Sequence, residues 1–440
     1  MATEELLGSL SNKTLARLFP VGKDANHERG ITSIFLATLS IVDGYASGVM
    51  GSIGRKTGVR SNIECHTEVI FPKTEGNDRP DGLIILKSGK KVIWTALVEA
   101  KVGKADLSEE QICRYLEIAK AHKIDAVITI SNQFAVLPTH HPVKVSKKLT
   151  RNVDLLHWSW TFLRTQADYQ LRVEEDIDPE QGYILGEMIR YFDHEKSGVQ
   201  SFDSMNKEWR EVCIKVKNQE RLLKSSPEAL NTVSAWHQEQ RVISLMLTGK
   251  LGAPVTIKLS KSHKSDPEKR LKDDVSILCD NEDLMCGFDI PSAASLLTVE
   301  ASLTNRTVTS SMELLAPADK KTTKAKVNWL IRQLAKVETN GIRIGAKWPG
   351  GAKDTWASLE ELREDPALLQ TENLKLVPHR FMVQTVLDLA GKFSGPKTFV
   401  EELEKTVTEY YHSVGENLSA WVAPAPKFES SDDEIEEAAE

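Results

Sequence analysis

The sequence lacks the cysteine patterns that mark disulfide frameworks and zinc sites. Its 440 residues include five cysteines, an odd number, and no two of them have CxxC spacing. Scattered cysteines of this kind are typical of reduced thiols, so we expect a cytoplasmic protein without a structural zinc site. The five are Cys65, Cys113, Cys213, Cys279 and Cys286.

Long apolar runs and several catalytic signatures are also missing. No segment approaches the roughly 20 apolar residues that a membrane-spanning helix needs. The N-terminal segment MATEELLGSLSNKTLARLFP carries acids early and lacks the basic, apolar and cleavage regions of a secretory signal. The strings GxxxxGK[ST], HExxH and GxSxG do not occur. We therefore expect no membrane segment, no export, no nucleotide motor and none of the hydrolase types that those strings mark.

The most informative pattern that is present is a pair of apolar segments with charged ends. Asp81 opens the segment PDGLIIL, and the segment WTALVEAK ends with Glu99 and Lys101. Side chains alternate along a strand, so Glu99 and Lys101 project to one side while Ala100 points to the other. If the turn between the strands closes as a three-residue loop, Asp81 lies directly opposite Glu99. Two carboxylates at that spacing can share Mg²⁺ or Mn²⁺.

With these residues the sequence resembles the PD-(D/E)XK nuclease superfamily. The signature consists of Arg79-Pro80-Asp81-Gly82 followed by Glu99-Ala100-Lys101, and 111–115 is similar to the QxxxY motif of the RecB-like branch. The resemblance covers about residues 20–170. It implies a restriction-endonuclease-like mixed sheet flanked by helices, in an enzyme that hydrolyses phosphodiester bonds with Mg²⁺.

The resemblance also implies a role for each matching residue. Asp81 and Glu99 would bind the metal. Lys101 would position or deprotonate the attacking water and stabilise charge on the phosphate. Gln111 and Tyr115 would support the site from the helix that follows the second strand, where four-residue spacing places them on one face.

Glu28 is a further candidate metal ligand. Apolar residues such as Ile31 and Phe35 recur at helical spacing over 26–42, and Glu28 falls on the same face. A carboxylate there must find a partner, because burying it unpaired is costly. In the resembled superfamily an acidic residue on the first helix often completes the metal site. A salt bridge to a neighbouring base is the alternative, and Glu68 is a weaker candidate for the same metal-binding role.

Each motif residue also has an ordinary structural explanation. Asp81 fits a turn that enters a strand, and Glu99 with Lys101 fits a solvated pair at a strand end. Gln111 follows a serine at the spacing of a capping box, so helix capping can explain it. The order and spacing of the three motifs favour the catalytic interpretation.

Periodicity predicts three folded parts and a tail. We expect a nuclease domain over 1–171, a helical connector over 172–250 and a second α/β domain over 251–428. The second domain resembles no family, and substrate recognition, homodimerisation and partner binding stay open as its role. In the first domain we predict helices at 26–42 and 109–121 and strands near 63–71, 82–87, 92–101, 126–131 and 153–158. In the second domain we predict strands at 255–259, 275–279, 297–303 and 342–346 and a helix at 323–337.

Charge is unevenly distributed. The net charge is −7, and segment 429–440 holds seven acids and no base, so without it acids and bases are equal at 56 each. We predict that this tail is disordered, and it either solvates the terminus or competes with DNA for a basic groove. The run 142–151 is basic and either forms a solvated loop or contacts backbone phosphates. Its bases are Lys144, Lys147, Lys148 and Arg151.

Together these patterns favour a cytoplasmic, Mg²⁺-dependent DNA nuclease, in particular an endonuclease of genome defence or repair. Two alternatives remain at this point. The chain is a ribonuclease, or it keeps a nuclease fold as a non-catalytic module that binds nucleic acid or protein.

Overall fold

The computed structural model describes most of the chain, and the predicted acidic tail at 429–440 lies outside the described residues. The described residues are 12–15, 18, 27–58, 60–71, 79–103, 105–133, 135, 137–173, 177–200, 202–339 and 341–423. The chain divides into two compact units. The first comprises the described parts of Met1–Pro291, Glu300–Thr307 and Leu389–Lys405, and the second those of Ser292–Val299, Val308–Asp388 and Thr406–Glu440.

A mixed six-stranded sheet forms the centre of the first unit. Its strands are β1 (Asn12–Leu15), β2 (Ser61–Ile70), β3 (Gly82–Ser88), β4 (Lys91–Ala100), β5 (Ala126–Ser131) and β6 (Asp154–Ser159), and they lie side by side in that order. Strands β1 to β4 pair antiparallel, whereas β4, β5 and β6 pair parallel. The predicted mixed α/β class is therefore confirmed for this sheet.

The hairpin of β3 and β4 fixes the position of the first motif residue. The strands pair with Gly82 opposite Val98, so one further step of this register places Asp81 opposite Glu99, as predicted. The loop differs from the prediction, because it contains two residues rather than three. A bulge in the ladder makes up the difference.

Helices cover both faces of this sheet. They are α1 (His27–Ile41), α2 (Asp43–Gly51), α3 (Glu109–Ala121), α4 (Trp160–Val173) and α5 (Pro179–Phe192). Helices α1, α2, α4 and α5 pack on one face around Phe35, whose ring meets the edges of Trp158 and Trp160 at centroid distances of 6.1 and 6.3 Å. Helix α3 packs on the other face through Ile112, Leu116 and its neighbours.

Gly82 allows α1 to lie close to the sheet. A Cβ atom at this position would lie 2.5 Å from Leu36 Cδ1 and 3.3 Å from Val98 Cβ. Leu36 is fully buried, so it has little free space into which it can withdraw. The glycine of the PDG string therefore leaves the space that the Leu36 side chain of α1 fills against β3.

The chain continues through a largely helical region of the first unit. Its helices are α6 (Trp209–Lys217), α7 (Pro227–Leu251), α8 (Lys261–Ser265) and α9 (Pro267–Asn281). The predicted strand at 275–279 is wrong, because these residues belong to α9. Asp266 caps that helix by accepting from Lys269 N at 3.0 Å, and a proline follows at the first helical position.

An antiparallel sheet contains the remaining strands. They are β7 (Thr256–Ile257), β8 (Asp283–Asp289), β9 (Leu297–Ser302), β10 (Thr307–Leu315), β11 (Ile342–Lys347), β12 (Thr355–Ser358) and β13 (Arg380–Asp388), in the order β12-β11-β13-β10-β9-β8-β7. The helices that follow are α10 (Thr323–Gln333), α11 (Leu359–Glu364) and α12 (Pro396–Ser413). In the second unit, Ile344, Phe381 and Leu362 are fully buried.

No single helix among the described residues is long and apolar enough to cross a bilayer. The bent pair formed by Glu28–Ile41 and Asp43–Gly51, which meet at 106°, reaches that length and hydropathy together.

Candidate metal centre

Three carboxylates converge at the end of strand β4. One oxygen from each of Glu28, Asp81 and Glu99 lies within 4.8 Å of the others. Glu99 and Asp81 come from the sheet, on the face that α3 covers, while Glu28 reaches them from the first turn of α1 on the opposite face. The first helix therefore completes a group that the hairpin alone begins.

Asp81 and Glu99 are held in place differently. Asp81 Oδ2 accepts a hydrogen bond from Ala100 N at 2.9 Å, which fixes the aspartate against the end of β4. Glu99 is 2% exposed and is the most deeply buried of the three acids. Its Oε1 accepts from Lys101 Nζ at 2.5 Å and from Gln111 Nε2 at 2.7 Å.

Lys101 connects two of the carboxylates. Besides its contact with Glu99, its ammonium donates to Glu28 Oε1 at 3.1 Å. The backbone of Lys101 is fixed on both sides, because its N–H donates to Ile130 O and its carbonyl accepts from Trp160 Nε1, each at 2.8 Å. The ammonium is thus aimed at the carboxylates by a rigid strand end.

The predicted supporting residues on α3 contact the same group. Gln111 Nε2 donates to Tyr115 Oη at 3.0 Å as well as to Glu99, and Tyr115 Oη donates to Arg79 O at 3.2 Å. Gln111 N also donates to the Ser108 hydroxyl that caps the helix. Capping therefore involves the backbone of Gln111, while its side chain orients Glu99.

Burial and neighbouring negative charges make Asp81 and Glu99 hard to ionise. Burial, followed by the charge of Glu99, raises the pKa of Asp81 well above its usual value. Burial also raises the pKa of Glu99, against the opposing charge of Lys101. For Lys101 burial favours the neutral amine, but the charges of Glu99 and Glu28 outweigh it and raise the pKa of the ammonium.

The donor set fits a small divalent cation. Glu99 Oε2 is buried and has no hydrogen-bond partner among the described residues. A buried carboxylate oxygen without a partner is costly. Carboxylate oxygens are the ligands that Mg²⁺ and Mn²⁺ prefer, and a cation among them would offset the repulsion that raises the pKa values. Glu28, Asp81 and Glu99 together therefore fit such an ion.

Glu68, the weaker candidate ligand, points elsewhere. Its carboxylate lies between two arginines, with Oε1 at 2.9 Å from Arg29 Nε and Oε2 at 3.6 Å from Arg79 Nη1. It does not belong to the group of three acids.

The basic residues predicted to contact phosphate do not gather at this site. They are Lys144, Lys147, Lys148 and Arg151, all exposed. Val143, Val145 and Leu149 anchor their loop on the apolar core below α3. Lys144 pairs with Glu268 at 3.1 Å. Arg151 lies three residues before the start of β6. The first residue of β6 pairs with the first residue of β5, so Arg151 is near the end of the sheet away from the carboxylates.

A polar network next to the site was missed by the sequence interpretation. Thr129 is opposite Glu99 on β5, and His157 is opposite Thr129 on β6. Thr129 Oγ1 lies 2.7 Å from both His157 Nδ1 and His141 Nε2. Strand alternation places Thr129 and His157 on the face of Glu99, but His141 comes from a loop whose path periodicity does not reveal.

Comparison with protein-family models and with curated proteins finds no match for this chain.

Proposed function

We propose that this protein is a metal-dependent nuclease of the PD-(D/E)XK type, with a restriction-endonuclease-like fold in its first unit. The observation that supports it most is the group of Glu28, Asp81 and Glu99 within 4.8 Å, beside the Lys101 ammonium. Asp81, Glu99 and Lys101 occupy the positions of the resembled motif, and Glu28 occupies the first-helix position where that superfamily often has an acid. The unpaired, buried Glu99 Oε2 is the further feature that a salt-bridge network by itself leaves unexplained.

The cofactor in this proposal is Mg²⁺ or Mn²⁺, held by Glu28, Asp81 and Glu99. When bound, such an ion lowers the pKa of a coordinated water and offsets negative charge on the phosphate. The protein keeps its ligands aligned through fixed contacts. Ala100 N–H orients Asp81, and Gln111 orients Glu99.

Lys101 has two tasks in the proposed reaction. Its ammonium is a fixed positive charge 2.5 Å from Glu99 Oε1, so it can stabilise charge that develops on a phosphate held beside the carboxylates. Its ammonium also donates to Glu99 and Glu28, so a water bound among these carboxylates would be within reach of the same donor and would be positioned by it. Tyr115 supports the arrangement by holding Gln111 and the backbone before Asp81.

The substrate in this proposal is DNA, cut internally, and the setting is genome defence or repair in the cytoplasm. These parts rest on the resemblance of the Asp81, Glu99-to-Lys101 and Gln111-to-Tyr115 motifs. RNA as substrate and a non-catalytic binding module are the alternatives that the experiment must separate.

The decisive experiment incubates the pure protein with linear, supercoiled, single-stranded and branched DNA and with RNA. Each substrate is tested with Mg²⁺, with Mn²⁺ and with excess chelator. We expect cleavage of DNA, including the closed supercoiled form, only when a metal is present. Cleavage that survives chelator would contradict the proposal, and RNA as the preferred substrate would favour a ribonuclease.

Calorimetric titration with Mg²⁺ and with Mn²⁺ tests the binding-module alternative. A functional centre binds the ion, and Asp81→Asn removes that binding. A protein that binds neither ion and cuts no substrate is a non-catalytic module.

A further inference from the structure

Two arginines flank the candidate metal centre. Arg29 directly follows Glu28 on α1, and Arg79 lies two residues before Asp81. Their side chains are 52% and 43% exposed, so solvent or a ligand can reach both. Each is thus within two residues, along the chain, of a proposed metal ligand.

Both guanidinium groups converge on Glu68, but this carboxylate satisfies them poorly. Arg29 Nε lies 2.9 Å from Glu68 Oε1 and Arg79 Nη1 lies 3.6 Å from Oε2. Glu68 Oε1 is nevertheless buried without a hydrogen bond, because the N–H of Arg29 is not aimed at it. The two arginines and Glu68 therefore form ion pairs that lack the parallel hydrogen bonds of a bidentate arginine–carboxylate contact.

The backbone of Glu68 is also unusual. Its φ of 52° lies in the left-handed region, which is disfavoured for residues other than glycine. The pairing of β1 with β2 shifts register at this point, so the residue lies at a bulge. Glu68 N donates to Asp81 O at 3.2 Å. Bulges next to functional sites re-aim side chains, and here the bulge turns a carboxylate toward the two arginines.

We propose that Arg29 and Arg79 form a clamp for a phosphate of the DNA backbone, and that Glu68 occupies the clamp until DNA arrives. The inference rests on the proposed function, since it names the substrate contact of that same site. A carboxylate and a phosphodiester each offer two oxygens that share one negative charge, and a guanidinium binds either in the same way. The clamp is close to the proposed ligands along the backbone, because Arg29 follows Glu28, Arg79 lies two residues before Asp81, and Glu68 N donates to Asp81 O.

Affinity for duplex DNA in excess chelator tests the clamp without requiring cleavage. A fluorescent duplex is titrated with the full-length protein at several salt concentrations. We expect Arg29→Gln and Arg79→Gln each to weaken binding about tenfold at low salt. We also expect each to reduce the slope of log K against log salt by about 0.9, because one phosphate contact is lost.

Arg55→Gln is the matched control. Arg55 is 39% exposed and pairs with Asp154 at 3.5 Å, at the end of the sheet away from the carboxylates. It should leave the affinity and the salt slope unchanged. Thermal unfolding of each variant checks that all three proteins are folded at the assay temperature.

Glu68→Gln tests whether the carboxylate competes with DNA. Removing its charge should tighten binding several-fold, whereas Glu64→Gln should not. Glu64 lies on the same strand and pairs with Lys87 and His66, so it controls for the loss of a strand acid.

Three results would overturn the clamp. Arg29→Gln and Arg79→Gln bind as Arg55→Gln does, or Glu68→Gln weakens binding as the arginine variants do, or the protein binds no DNA. The nuclease proposal fails separately. A protein that shows the arginine effects but cuts nothing with any metal keeps the clamp and loses the enzyme. One that cuts DNA without those effects keeps the enzyme and loses the clamp.

Discussion

Two buried polar groups lie side by side on the face of the first sheet that α3 covers, and they differ in how completely they are paired. The Thr129–His141–His157 network satisfies every ring nitrogen, whereas the carboxylate group leaves Glu99 Oε2 without a partner. Facing positions on adjacent strands of one sheet therefore differ in how fully their polar atoms are paired. Complete pairing is what stability favours, and a buried unpaired acid needs another explanation.

The pairing in the histidine network favours one arrangement of its protons. Gln133 O can only accept, so His157 Nε2 at 2.8 Å carries hydrogen and His157 Nδ1 accepts from Thr129. The Thr129 oxygen then accepts from His141 Nε2, and His141 Nδ1 accepts from Val143 N at 3.0 Å. With both rings neutral, each of these hydrogen bonds has one donor and one acceptor, while the further 3.0 Å contact of His141 Nδ1 with Val143 O then carries no hydrogen. The carboxylate group has no comparable closed arrangement.

Lys101→Ala should give the largest effect of the variants compared. It acts on the carboxylate group of Glu28, Asp81 and Glu99 and leaves the histidine network intact. Removing the ammonium that contacts Glu99 and Glu28 should lower the cleavage rate by about 10²- to 10⁴-fold while DNA affinity in chelator persists. Single-turnover cleavage with Mg²⁺ measures the rate. Lys87→Ala is the matched control, because Lys87 pairs with Glu64 on the same sheet. Equal losses in both variants would show that Lys101 is only a structural lysine.

Thr129→Val should have the next largest effect, a loss of stability in the fully paired Thr129–His141–His157 network. It removes one donor and one acceptor, so His141 Nε2–H and His157 Nδ1 both lose their partner. Leaving two buried groups unpaired should cost about 2–4 kcal/mol of unfolding free energy. Urea unfolding measures it. A cost near zero would mean that the network contributes nothing to stability, and the contrast with the carboxylate group would disappear.

Metal-dependent stability should separate the two groups. At a free Mn²⁺ concentration one hundred times its Kd, the folded protein should gain about 2.7 kcal/mol. The Thr129→Val protein should gain the same increment, because its carboxylates are intact, and Asp81→Asn should gain little. The midpoint of thermal unfolding with and without Mn²⁺ reports this. A gain that Asp81→Asn retains would place the ion elsewhere.

The smallest expected effect is that of pH. Acid should lower the unfolding free energy that the Thr129–His141–His157 network provides. Burial lowers the pKa of His141 to about 4 and that of His157 to about 3, both below their unfolded values. The unfolded chain therefore binds protons first. The stability that the neutral rings provide is full above about pH 6.5 and is lost as pH falls toward 4, by roughly 1 kcal/mol per histidine per pH unit. Unfolding free energies at pH 7, 6 and 5 measure the slope, and His157→Asn should reduce it.

Much of the carboxylate group could be predicted from the sequence because it depends on local rules. Strand alternation and hairpin register place Asp81 opposite Glu99, and helical spacing places Gln111 and Tyr115 on one face. Apolar periodicity locates Glu28 on the inward side of α1. These positions follow from short segments, each of which determines its own geometry.

The other features depend on which distant segments meet, and local pattern does not encode that. The basic run follows β5 in sequence, but the loop returns to the far end of the sheet before β6 begins. His141 reaches Thr129 only because that loop folds back over the sheet. In α9 the apolar residues Val275 and Leu278 read as part of a strand, although their three-residue spacing and the Asp266 cap belong to a helix.

The absence of a side chain at position 82 has a consequence for chemistry as well as packing. Leu36 lies where a methyl group would otherwise be, and the same helix carries Glu28 at its first turn. An alanine there would press on the buried Leu36 side chain, so this side chain or the helix that carries it would have to shift. The bare backbone at position 82 thus leaves room for the helix that brings the third acid to the other two.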